Sequence, residues 1–138
     1  IIKTEHLIIL DDCYNANPVS TKASIDVLNM AIGRKVAVLG DMGELGEDAQ
    51  ELHLNVGEYA AQQGVDLICG IGPLSRYLVD GALKCSSPAE AVWFETKAKF
   101  LEASKDLIRD GDNVLVKASH GMQFPEIVES LKEYGNSL

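Results

Sequence analysis

Long apolar runs, basic charge and cysteine are all scarce in this sequence. No apolar stretch approaches the roughly 20 residues needed to span a bilayer, and the opening residues carry no signal-peptide pattern. Lys plus Arg number 12 against 21 Asp plus Glu, a formal net charge of −9. Nucleic acids and anionic membranes both demand clustered cations, so neither is expected as a partner. Cys13, Cys69 and Cys85 are odd in number and scattered. They support neither a disulfide framework nor a zinc site, no metal ligand is assigned in the chain, and a cytoplasmic, reducing compartment is expected. Also lacking are the phosphate-binding G-x-x-x-x-G-K-S/T, the G-x-S-x-G nucleophile elbow and H-E-x-x-H. The chain thus carries no self-contained engine of these kinds for phosphoryl transfer or hydrolysis. Its first residue is Ile1 rather than Met, as expected of a piece cut from a longer protein.

What is present is an ordinary globular composition, 46% apolar and 24% charged over 138 residues, about one domain's worth. Short apolar runs alternate with helical patterns. Leu7–Leu10, Lys35–Gly40, Val65–Gly70, Ala91–Phe94 and Asn113–Lys117 read as strands, and none shows clean polar alternation. Between them, Ile25, Leu28 and Ile32 mark one face of a helix from about Ser20 to Ile32, stopped by Gly33. Asp48 and Glu51 have capping-box spacing for a second helix carrying Leu52, Val56 and Ala60. Further helices follow Gly72-Pro73, Thr96 and Pro125. Ile1–Thr4 would add an antiparallel strand at one edge. The expected fold is α/β: a single doubly wound, Rossmann-like domain over 1–138. It has a mostly parallel sheet of about six strands and helices on both faces.

In such folds ligands bind beyond the carboxyl ends of the strands. The first strand delivers Asp11-Asp12-Cys13-Tyr14-Asn15-Ala16-Asn17, the second Gly40-Asp41-Met42-Gly43-Glu44-Leu45-Gly46, and the fifth Lys117-Ala118-Ser119-His120-Gly121. Asn15 and Asn17 taken singly suit Asx turns and helix caps as well as a ligand. The adjacent Asp11 and Asp12 repel each other, which a cation, a ribose or a cationic neighbour would relieve. Lys117 continues a buried strand, where an ammonium is costly unless paired; a structural ion pair with Asp12 or Asp41 is one reading. Gly70-Ile71-Gly72 fits plain turn geometry, His53 a polar helix face, and Trp93 the core.

A non-enzymatic nucleotide-binding or receiver-like signalling domain would also place an acidic pair after strand one and a Lys after strand five. A receiver's phosphoacceptor follows the third strand, however, and here that strand ends in Cys69-Gly70. Longer motifs point elsewhere. Asp12-Cys13-Tyr14-Asn15-Ala16-Asn17-Pro18 resembles the D-x-Y-N-A-N-P signature of the UDP-N-acetylmuramoyl-tripeptide:D-alanyl-D-alanine ligases of the Mur ligase family. Val38–Gly46 is similar to that family's V-L-G-D-M-x-E-L-G. His53 and Val56-Gly57 match its H-x-x-V-G, and Val114–His120 its V-L-V-K-G-S-R. Ala118 and His120 stand where the pattern has Gly and Arg, and a neutral His lacks a fixed bidentate donor.

The resemblance implies the C-terminal domain of a three-domain enzyme, whose N-terminal domain holds the UDP-sugar and whose central domain holds the ATP P-loop and Mg²⁺ ligands. It implies ATP and Mg²⁺ as cofactors, and UDP-MurNAc-tripeptide and D-Ala-D-Ala as substrates joined through an acyl phosphate. This domain would close over ATP and present the dipeptide, and it would be inactive alone. By the same resemblance Asp12, Tyr14, Asn15 and Asn17 would contact the nucleotide. Asp41, Glu44 and Ser119 would contact substrate, and Lys117 would act catalytically on phosphate or a developing oxyanion.

Overall fold

In the computed structural model, which describes residues 1–13, 16–86 and 88–138, strands and helices alternate along the chain. They are β1 (Ile2–Lys3), β2 (Ile8–Asp12), α1 (Pro18–Leu28), β3 (Lys35–Gly40), α2 (Ala49–Gln62), β4 (Leu67–Ile71), α3 (Ser75–Lys84), β5 (Glu90–Phe94), α4 (Lys97–Leu107), β6 (Asn113–Lys117) and α5 (Pro125–Ser137). Short 3₁₀ turns at Gly46–Asp48 and His120–Met122 precede α2 and α5. The six strands form one sheet in the order β1-β2-β6-β3-β4-β5. Among the described residues only β1 is antiparallel, pairing Ile2 with Ile9. Among the described residues no helix is long and apolar enough to cross a membrane.

Alternate residues of each strand serve two cores. Ile9, Val36, Val38, Val114 and Val116 pack with Phe100 of α4 and Ile127, Val128 and Leu131 of α5. Ala37, Leu39, Ile68 and Leu115 pack with Ile25 and Leu28 of α1, Val56 and Ala60 of α2, and Leu78 and Ala82 of α3. Both faces are therefore covered, which explains why the strands lack polar alternation. Helices α2 and α3 meet backbone to backbone. A Cβ on Gly57 would lie 1.8 Å from the Leu78 carbonyl oxygen, and one on Gly81 2.0 Å from that of Leu54.

Several expectations need correction. Helix α1 ends at Leu28, four residues early. The bonds Met30 N–H to Val27 O and Ala31 N–H to Leu28 O tighten the chain into turns. Ile32 is swung off the α1 face and is 97% exposed. Asp48 makes no side-chain cap bond; the 3₁₀ turn leads into α2 instead. The strand read as Val65–Gly70 is β4, Leu67–Ile71.

The strand order also bears on function. Among the parallel strands the last, β6, lies between the first and second. In a flavodoxin-like receiver the first strand sits between the second and third. The receiver-like arrangement is therefore absent.

Candidate functional site

Inserting β6 between β2 and β3 places three motifs side by side at the carboxyl edge. The register pairs Asp12 with Lys117, and Lys117 in turn with Leu39. Because side chains alternate across a strand, Asp12 and Lys117 share the α1 face while Asp11, paired with Val116, points the other way. The Asp11 and Asp12 side chains thus leave opposite faces of the sheet, although both residues line one cleft together with Leu10, Ser24 and Val27. Lys117 is 2% exposed, and its Nζ donates to Asp12 Oδ2 at 2.6 Å. The Ser24 hydroxyl, from α1, donates to the same oxygen at 2.7 Å. Burial pushes the Asp12 carboxyl up, but the Lys117 ammonium and the Ser24 hydroxyl outweigh it and hold it below its ordinary value. The Asp12 side chain is 44% exposed. The pair is thus buried on its cationic side and open on its anionic side. Of the two acidic partners foreseen for Lys117, it takes Asp12 and not Asp41.

Asp41 follows β3, and its carboxylate reaches sideways to cap α3. It accepts from Ser75 N–H and Ser75 Oγ at 2.8 Å and from Leu74 N–H at 3.3 Å. An anion there complements the helix dipole. Gly72 makes room: its φ is +112°, and a Cβ would fall 2.7 Å from that carboxylate. The rest of the Gly-rich loop hangs on His53. The His53 ring is fully buried, not on a polar face, with Nε2 accepting from Met42 N–H at 3.0 Å and Nδ1 donating to Ala49 O at 2.6 Å. That pair of bonds fixes a neutral tautomer. Beyond Met42, Glu44 is exposed and adopts φ +58°, a left-handed conformation costly for a residue with a Cβ.

Other foreseen residues fall around this edge. Asn17 caps α1, its Oδ1 accepting from Ser20 N–H at 2.8 Å while Ser20 Oγ accepts from Asn17 N–H. Tyr14 and Asn15 lie outside the described residues. Ser119 bonds through its N–H to the Asp41 carbonyl at 3.4 Å, and a Cβ on Gly43 would be 3.8 Å from its own Cβ. Ala118 turns its methyl inward, where a Cβ on Gly40 would meet it at 2.6 Å, so the departure from Gly there is absorbed inside the sheet. His120 is exposed on the turn before α5. Trp93 is not core: it is part-buried, its Nε1–H donating to Gly72 O at 2.7 Å, with the Arg76 guanidinium 5.9 Å from its ring. Ser24 went unforeseen, since no motif contains it. The available signal was a hydroxyl beside the Thr21, Ile25 and Leu28 stripe of α1.

Among the described residues no group of three or more His, Cys, Asp and Glu could hold a metal ion. The edge offers hydrogen-bond acceptors, amides and a hydroxyl, with its buried ammonium already bonded. Comparison with known proteins identifies the family to which this fold belongs. The family described as "Mur ligase, glutamate ligase domain" matches residues 1–120. The UDP-N-acetylmuramoyl-tripeptide–D-alanyl-D-alanine ligase of Bacillus subtilis is 37% identical over 136 residues, covering 96% of this chain. The chain spans only 30% of that relative's length. Among solved structures, MurF from Acinetobacter baumannii superposes with a TM-score of 0.86 at 31% identity, over 96% of this chain and 29% of that one. The MurF ligase of Thermotoga maritima in complex with ADP gives 0.78 at 26% identity, over the same shares.

Proposed function

The chain belongs to the Mur ligase family, and from that premise we propose that it is the C-terminal domain of an ATP-dependent ligase joining D-Ala-D-Ala to UDP-MurNAc-tripeptide in the bacterial cytoplasm. The observation that carries this reading is that β2 and β3, whose ends open the Asp12–Pro18 and Val38–Gly46 motifs, flank β6 with their carboxyl ends on the same side of the sheet. The ligase name borne by the relative from B. subtilis supports it.

The terminal carboxylate of the tripeptide attacks the γ-phosphorus of ATP, giving an acyl phosphate and ADP. The amine of D-Ala-D-Ala then attacks the acyl carbon. The tetrahedral intermediate expels inorganic phosphate, and the nitrogen loses a proton as the amide forms. The acyl phosphate is hydrolysable, so a domain that closes over it and excludes water protects the intermediate until the amine attacks. Here Asp12 accepts ribose hydroxyls, with Tyr14, Asn15 and Asn17 at the nucleotide. Lys117 supplies the compensating charge beneath Asp12. Ser119 and Glu44 face the substrate side, and Asp41 braces the loop carrying Glu44 against α3. Mg²⁺ would be bound by the central domain; among the described residues of this one no cluster fits a resident metal, and no step here passes through one.

The test is phosphate release with ATP, UDP-MurNAc-tripeptide and D-Ala-D-Ala. The full-length protein should turn over only with all three, and the 138-residue chain alone should not. Turnover by the chain alone, or turnover independent of the dipeptide, would overturn the proposal.

A further inference from the structure

Asp12 makes its two described contacts through one oxygen. Lys117 Nζ at 2.6 Å and Ser24 Oγ at 2.7 Å both meet Oδ2. Among the described residues, Oδ1 takes no hydrogen bond, and the side chain is 44% exposed. We infer that Ser24 and Lys117 are positioning residues: together they fix the plane of the Asp12 carboxylate and leave Oδ1 to receive a ribose hydroxyl of the nucleotide. This rests on the nucleotide reading above and deepens it.

The donors come from two elements, β6 and α1, on either side of the carboxylate. One donor would let the carboxylate rotate about its terminal torsion, which is broad for Asp; two restrict it. The Ser24 hydroxyl has one proton and two acceptors within reach, Asp12 Oδ2 at 2.7 Å and Ser20 O at 3.1 Å. The ionised carboxylate, nearer and charged, is the better acceptor. The helix does not need this hydroxyl, because Ala is the stronger helix former and a Ser bonding its own i−4 carbonyl gains the helix nothing. Ser24→Ala should therefore fold. Lys117 does not reach out to phosphate: at 2% exposure its ammonium is enclosed and spent on Asp12.

The experiment is steady-state kinetics on the full-length ligase with ATP, 2′-deoxy-ATP and 3′-deoxy-ATP. The wild type should prefer ATP over at least one analogue. Ser24→Ala should lose about tenfold in kcat/KM for ATP, the size of one charge-assisted hydrogen bond, mostly through KM. It should leave the disfavoured analogue nearly unchanged, so that discrimination collapses. Ser24→Thr, which keeps the hydroxyl, should restore it. A purely structural Ser24 would lower the melting temperature and leave discrimination intact. Discrimination retained in Ser24→Ala but lost in Asp12→Asn would overturn the positioning role alone. Discrimination absent from the wild type, or retained in Asp12→Asn, would remove the ribose from Asp12 and overturn both readings. If Asp12→Asn does not fold singly, it is read in a Lys117→Met background against Lys117→Met alone.

Discussion

Replacing Asp12 by Asn should cost the fold far more than replacing its partner Lys117 by Met. The asymmetry comes from burial: Lys117 is 2% exposed and Asp12 44%. Removing the carboxylate strands an ammonium inside the protein, a change that costs about 3–5 kcal/mol when a buried pair loses one member. That is a large share of the roughly 5–15 kcal/mol holding a typical domain together. Removing the ammonium instead leaves a carboxylate that water already reaches and that keeps its bond from Ser24, so the cost should be about 1 kcal/mol. Met also fills much of the volume the lysine stem vacates. The double variant should then be more stable than Asp12→Asn alone. Urea unfolding of the 138-residue chain at neutral pH measures all three. The sign with pH follows from the lowered Asp12 carboxyl. Its contribution is present above the ordinary value of 3.8 and is lost as pH falls through the folded-state value. The gap between wild type and Lys117→Met should therefore close in acid. An Asp12→Asn cost below about 1 kcal/mol, or a double variant weaker than Asp12→Asn, would refute the reasoning.

Gly57→Ala should cost about 3 kcal/mol in the same assay, because the new methyl would sit 1.8 Å from a backbone oxygen of α3 that cannot rotate away; a cost under about 1 kcal/mol would show that the helices separate freely. His53→Leu should leave the Met42 N–H without its acceptor, at about 1–3 kcal/mol. Faster amide exchange at Met42 and through the loop to Gly46 is expected, and unchanged protection would refute the link. Burial pushes the Cys69 thiol up to about 12 and raises Cys13 as well, whereas Cys85 is part-exposed. Iodoacetamide at pH 8 should therefore label Cys85 first in the folded protein, as read by mass spectrometry, and early labelling of Cys69 would contradict the packing.

The strands were legible because each is a short apolar run buried on both faces, and the two-sided covering followed from their lack of alternation. Their order was not legible. Nothing local to Asn113–Lys117 says that it inserts between the first two parallel strands, so the sequence left Lys117 with two candidate partners. Ile32 misled because i+7 spacing cannot reveal that the helix has already unwound into turns at Asn29. His53 was misread for a similar reason: its partners, Met42 N–H and Ala49 O, are backbone groups, which side-chain patterns do not report. Asn17 and Asp41 were visible as polar residues after strands, but that each accepts from the first backbone N–H groups of a helix was not.

The charge pattern of the edge bears on which part of a nucleotide it can hold. In a chain with net charge −9, an approaching triphosphate meets repulsion unless cations stand in its way. Lys117, the cation at Asp12, is enclosed and neutralised by that carboxylate, and Asp41 is satisfied by the amino end of α3. What remains toward solvent at this pair is an acceptor oxygen of Asp12. On the reading proposed above, that oxygen accepts from a ribose hydroxyl and does not meet phosphoryl oxygens. On the same reading, phosphate binding falls to the part of the proposed full-length ligase outside this chain, which spans 30% of the B. subtilis relative. Salt dependence separates the alternatives. If Asp12 reads ribose, the loss of ATP affinity in Ser24→Ala should be the same at low and high ionic strength. If Lys117 instead met phosphate directly, the ATP affinity lost in Lys117→Met should shrink as salt rises, because screening weakens the exposed contact that the mutation removes.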